Sequence, residues 1–130
     1  MHLGQHRRPV GFLAGIEHVG LGRYGDPLDP RGHEKAASEL VRVLAPGGDL
    51  YVSTPVGHER VCFNAHRVFS HGSMVRLFAP LTLTAFSLVD DRGAFLSAAT
   101  ATQADACDYG CGLFHFRKNT VDADIRPSER

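Results

Sequence analysis

Glu17 and His18 stand side by side in this 130-residue chain, and together they have the makings of a proton-transfer pair. An imidazole titrates near neutral pH and can take a proton from a hydroxyl or an amine. A carboxylate beside it supports the protonated form; equally, the pair could cap the loop that follows and hydrogen-bond its backbone. The pair opens a polar loop, HVGLGRYGDPLDP over residues 18–30, in which Gly20, Gly22, Gly25, Pro27 and Pro30 break regular structure. Within that loop Arg23 offers a bidentate fork for a carboxylate or phosphate, beside Tyr24. Asp26 could equally hold Arg23 and fix the loop. Farther along, FNAHRVF (63–69) sets Asn64, His66 and Arg67 among Phe63, Val68 and Phe69. That pattern reads as a polar wall or lid over a bound molecule, or equally as an insertion held by its own polar contacts.

Other chemistries find less support. His58, His66, His71 and His115 and the three cysteines (Cys62, Cys107, Cys111) show neither C-x-x-C nor H-x-x-x-H spacing, so no metal site is expected. The glycines of the loop fit neither the dinucleotide nor the phosphate-loop pattern and read as turn glycines. An odd number of cysteines argues for free thiols and a cytoplasmic location. Fourteen basic residues balance fourteen acidic ones, which leaves no electrostatic footprint for nucleic acid or for an anionic membrane surface. No apolar run approaches the roughly 18–20 residues that span a bilayer.

The elements that must position these residues follow from hydrophobic pattern. Val10 to Ile16 suggest a short buried strand weakened by Gly11 and Gly15. Residues 31–45 read as a helix, capped by Asp29, entered through Pro30, with Ala37, Leu40, Val41 and Leu44 on one face. Pro46-Gly47-Gly48 ends it, and DLYVST (49–54) reads as a strand closed by Pro55. Residues 56–69 form an excursion, and Ser70 caps a short helix through Ala79. Residues 81–89 alternate as a strand, 90–93 turn, 94–106 give no signal, and 111–116 read as a last strand. The two closing strands have no helix between them, so they are expected to pair antiparallel. The fold class is therefore α/β.

ELVRVLAPGGDLYVSTP carries a resemblance. A helix ending R-V-L-x-P-G-G before a strand resembles the later half of class I S-adenosylmethionine-dependent methyltransferases, and IEHVG resembles the Glu-His that follows their fourth strand. With EHVGLGRYGD and FNAHRVFS added, the chain is similar to a methyltransferase-like domain family of unassigned function over about residues 16–118. The resemblance implies the C-terminal half of a Rossmann-like sheet, closed by an antiparallel hairpin. It also implies S-adenosylmethionine as cofactor and methyl transfer to a small-molecule or sugar-like acceptor. In that picture His18 is the base, Glu17 supports it, and Arg23, Tyr24, Asp26, Asn64, His66 and Arg67 shape the acceptor site.

The chain departs from the superfamily in one respect. The Gly-rich turn and the acidic strand end that hold a nucleotide cofactor belong to an N-terminal half, which this sequence is expected to lack. No cofactor-binding residue can therefore be assigned. Residues 1–15 read as an irregular N-terminus, either the product of a displaced start or frameshift or a genuinely shortened one, and 119–130 as a polar tail. A chain lacking that half is expected to be inactive alone and to expose a sheet edge. The alternative function is a non-catalytic fragment or interaction module that completes its sheet with a partner chain or a second copy.

Overall fold

The computed structural model describes residues 9–21, 29–62 and 66–120. The core of the molecule is a five-stranded mixed sheet. β1 (Val10–Ala14) pairs parallel with β2 (Asp49–Val56), and β2 pairs antiparallel with β7 (Gly110–Arg117). β7 pairs antiparallel with β5 (Thr82–Val89), which carries the two-residue β6 (Phe95–Leu96) at its end. The spatial order is β1-β2-β7-β5-β6. The expected antiparallel pairing of the closing strands is present.

Helices cover one face of this sheet. α1 (Gly32–Val43) presents Ala37, fully buried, with Leu40, Val41 and Leu44 packed against the core. α2 (His71–Leu77) adds Met74, and its Ser70 hydroxyl accepts the Ser73 N–H as the sequence suggests. Beneath them lie Leu50, Val52 and Val56 of β2 and Phe114 and Phe116 of β7. α1 differs from expectation at its start: the residue preceding it is Arg31, and the Asp29 carboxylate accepts the Arg31 N–H and pairs with Lys35. Its far end is held by Lys118, whose ammonium donates to the carbonyls of Val41, Arg42 and Leu44.

The strand anticipated over residues 10–16 forms over Val10–Ala14, and it is half exposed instead of buried. Phe12 is 79% exposed. Among the described residues nothing covers that side of β1, so Phe12 stacks on Tyr51 (5.5 Å) and Tyr51 on His115 (4.4 Å) across the open face. His115 in turn meets the buried Asp49 carboxylate at 2.8 Å, shared with Arg117 at 3.1 Å. β5 carries a register shift between Leu83 and Ala85. This bulge is why Leu83 and Phe86, three apart, both face the core. The silent stretch 94–106 contains β6 and α3 (Ala101–Asp105), the latter started by a capping box between Thr100 and Gln103. No helix of the described residues is long and apolar enough to cross a membrane.

Candidate functional site

β1 ends at Ala14, and Gly15 takes a left-handed conformation (φ 93°) that turns the chain into a single 3₁₀ turn, Ile16–His18. Ile16 is fully buried and anchors the turn. Glu17 and His18 thereby sit at the carboxyl end of a parallel strand pair, where open α/β sheets bind ligands. Glu17 Oε2 lies 3.6 Å from His18 Nε2, and both side chains are 15% exposed.

The excursion after β2 comes back to this turn. β3 (Arg60–Cys62) and β4 (His66–Val68) form a small antiparallel hairpin. Its exit is pinned to the end of β2: Phe69 N–H donates to the Pro55 carbonyl and Gly57 N–H to the Phe69 carbonyl. This brings the buried His66 ring edge-on to His18, with centroids 6.0 Å apart, and edge-on to Tyr109 at 5.4 Å. Tyr109 is placed by Asp91, whose two carboxylate oxygens accept the N–H groups of Asp108 and Tyr109. Those two bonds hold the Asp91 carboxyl below the usual carboxylate range.

Among the described residues, Glu17 Oε1, Thr54 Oγ1 and His66 Nε2 at this end of the sheet are buried without a hydrogen-bond partner. Each such group costs about 1–3 kcal/mol when left unpaired. Glu17 and Thr54 share the wall of a cavity of about 320 Å³ that also includes Ser53, Asp90 and Tyr109.

Of the residues singled out from sequence, the structure brings Glu17, His18 and His66 together. Arg67 is buried and directed elsewhere: Nη1 donates to the Val19 carbonyl at 2.5 Å and Nη2 to the Pro30 carbonyl at 3.4 Å. Burial lowers the pKa of its guanidinium. Arg67 therefore ties the ends of the polar loop together. Arg23, Tyr24, Asp26 and Asn64 lie outside the described residues. Sequence reasoning missed Thr54 and Tyr109. For Thr54 a signal existed, since Pro55 after an apolar run marks a strand's carboxyl end; Tyr109, between two unremarkable residues, offered none.

The order of strands and the site at their carboxyl ends define a methyltransferase-like fold. The chain is similar to N-methyltransferase NodS from Bradyrhizobium japonicum WM9, with 17% identity and a TM-score of 0.50, over 87% of this chain and 53% of that one. It is also similar to the [4+2]-cyclase SpnF, with 15% identity and a TM-score of 0.56, over 86% of this chain and 51% of that one. The chain thus spans about half the length of the solved structures it matches. No curated protein matches it. Residues 8–109 match the family described as "Caenorhabditis protein of unknown function, DUF268", and the chain belongs to that family.

Proposed function

We propose that this chain supplies the acceptor side of an S-adenosylmethionine-dependent methyltransferase acting on a small molecule. The observation that carries the reading is the Glu17–His18–His66 cluster at the carboxyl end of the parallel pair β1 and β2, in a fold like that of an N-methyltransferase. In this reading His18 takes the proton of the acceptor and Glu17, 3.6 Å away, stabilises the imidazolium. His66 and Tyr109 wall the site.

The described residues do not fit the cofactor itself. A cofactor cradle needs a glycine backbone open to the ligand beside a free acidic strand end. At Gly20 the space where a Cβ would stand is closed by the chain's own Asp29 carbonyl. Gly15 is open on that side, but the acidic group beside it, Glu17, faces His18 at 3.6 Å. We therefore assign the cofactor-holding elements to further polypeptide that adds a strand to the open edge of β1. Three free thiols suit a reducing, cytoplasmic compartment.

The test is methyl transfer by the polypeptide as its source makes it, with methyl-tritiated S-adenosylmethionine and small amines and alcohols. Expected is label in an acceptor, reduced about 100-fold by His18→Ala. Equal rates for parent and variant, or no label with any acceptor, would overturn the assignment.

A further inference from the structure

Strand register fixes which side chains stand in line across the face of the sheet that the helices leave open. Phe12, Tyr51, His115 and Ala85 make one row across β1, β2, β7 and β5. Two residues farther along β2, Ala14, Ser53, Leu113 and Ser87 make the next. The three rings of the first row stack into a ridge, Phe12 on Tyr51 and Tyr51 on His115. The second row is small except at Leu113, so it forms a trough beside that ridge. Phe12, Tyr51 and Leu113 are exposed, and the groove of about 580 Å³ over these rows has no Asp, Glu, Lys or Arg in its described lining. A contiguous apolar patch of this kind marks an interaction surface.

We propose that a second copy of this chain covers this face, sheet on sheet, about a two-fold axis that runs along the rows midway between ridge and trough. Such an axis lays the ridge of each copy in the trough of the other, with Phe12 over the second copy's Ala14 and Tyr51 over its Ser53. The face is complementary to itself because small side chains follow directly on large ones. The same axis carries Arg117, one row before His115, to the second copy's row of Pro55, Cys111 and Val89, which adjoins the carboxylates of Glu17 and Asp90. An uncharged centre with opposite charges meeting at its ends suits self-association. Four strands about 4.8 Å apart and four rows about 6.8 Å apart give a patch of about 500 Å² on each copy. Two such patches bury about 1,000 Å², the lower limit for a specific interface, so a dimer with a Kd of about 10–100 μM is expected. The edge of β1 stays free in this arrangement, and the inference does not rest on the proposed function.

Sedimentation equilibrium of the full chain from about 1 to 500 μM makes the test, since that range brackets the expected Kd. Two variants at exposed positions accompany it, Phe12→Ser and Ala14→Leu, each checked for a Tm near the parent's by circular dichroism. Expected is a monomer–dimer equilibrium in the parent, weakened at least about tenfold by Phe12→Ser, which takes the end off the ridge. Ala14→Leu fills the trough and is expected to weaken the dimer about tenfold too, although it adds apolar surface. A merely adhesive patch would associate more tightly with that change. A monomer at every concentration, association that does not stop at two copies, or tighter association of Ala14→Leu would overturn the proposal. So would a polypeptide, as its source makes it, that stays monomeric with Phe12 shielded from hydroxyl-radical labelling, because its own further elements would then cover the face.

Discussion

Replacing Arg67 by methionine keeps the stem of a buried side chain and removes its charge and its donors. The guanidinium donates to the carbonyls of Val19 and Pro30, the first directly after His18 and the second two residues before α1. The 2.5 Å bond carries most of the effect, because hydrogen bonds from charged donors contribute about 1.5–3 kcal/mol and the 3.4 Å contact is weak. Burial works against the charge, as the lowered pKa of Arg67 shows, so part of the loss is recovered when the charge goes. The net expectation is about 2 kcal/mol of destabilisation. For a domain of this length that is a fall in Tm of about 7 °C by calorimetry or circular dichroism. Arg67→Lys, which keeps the charge and loses the fork, should fall between parent and methionine variant. The His18 ring resonances should shift in both variants. A Tm within about 2 °C of the parent, or His18 resonances unmoved, would refute the view that Arg67 fixes this loop.

Burial lowers the pKa of His33 and of His71 from an ordinary 6.5, so below that pH the unfolded chain binds more protons than the folded one. Stability is therefore expected to be full above about pH 7 and to fall as pH drops below 6.5, read as Tm between pH 8 and 5; a flat or rising profile contradicts this. Replacing His71, which lies 4.8 Å from Phe86, by phenylalanine should flatten part of that slope. Gly20→Ala forces a Cβ to within 2.0 Å of the Asp29 carbonyl at φ 80°, and a loss of at least about 2 kcal/mol is expected in denaturant unfolding. Lys118→Met removes the donor to the last carbonyls of α1, and about 1–2 kcal/mol of lost stability with faster amide exchange in that last turn is expected.

The elements easiest to read from sequence were those fixed by local chemistry. Pro46-Gly47-Gly48 stops a helix wherever it occurs, and Ser70 caps the helix after it because its hydroxyl reaches the Ser73 N–H. Glu17 and His18 were legible because they follow a strand directly. What was missed depends on tertiary position. Nothing local says that Asp91 will reach the N–H groups of Asp108 and Tyr109, some seventeen residues away, and so place a ring against His66. Arg67 looked like a ligand-binding residue because the carbonyls it holds belong to residues 19 and 30, distant in sequence. The exposure of β1 was hidden for a related reason: Val10, Phe12 and Leu13 read as a buried strand, and burial depends on what covers the sheet. The Thr100 capping box was a local signal, and an overlooked one.

The central claim is that this chain carries the acceptor side of a methyltransferase and that the cofactor is held by further polypeptide across β1. Titration of S-adenosyl-L-homocysteine by calorimetry tests both parts together, once into this chain and once into the polypeptide as its source makes it. The expected result is no heat of binding from the chain at up to about 1 mM and a micromolar Kd, about −8 kcal/mol, from the source polypeptide. No binding to either would contradict the methyltransferase reading, and tight binding to this chain would contradict the placement of the cofactor site outside it.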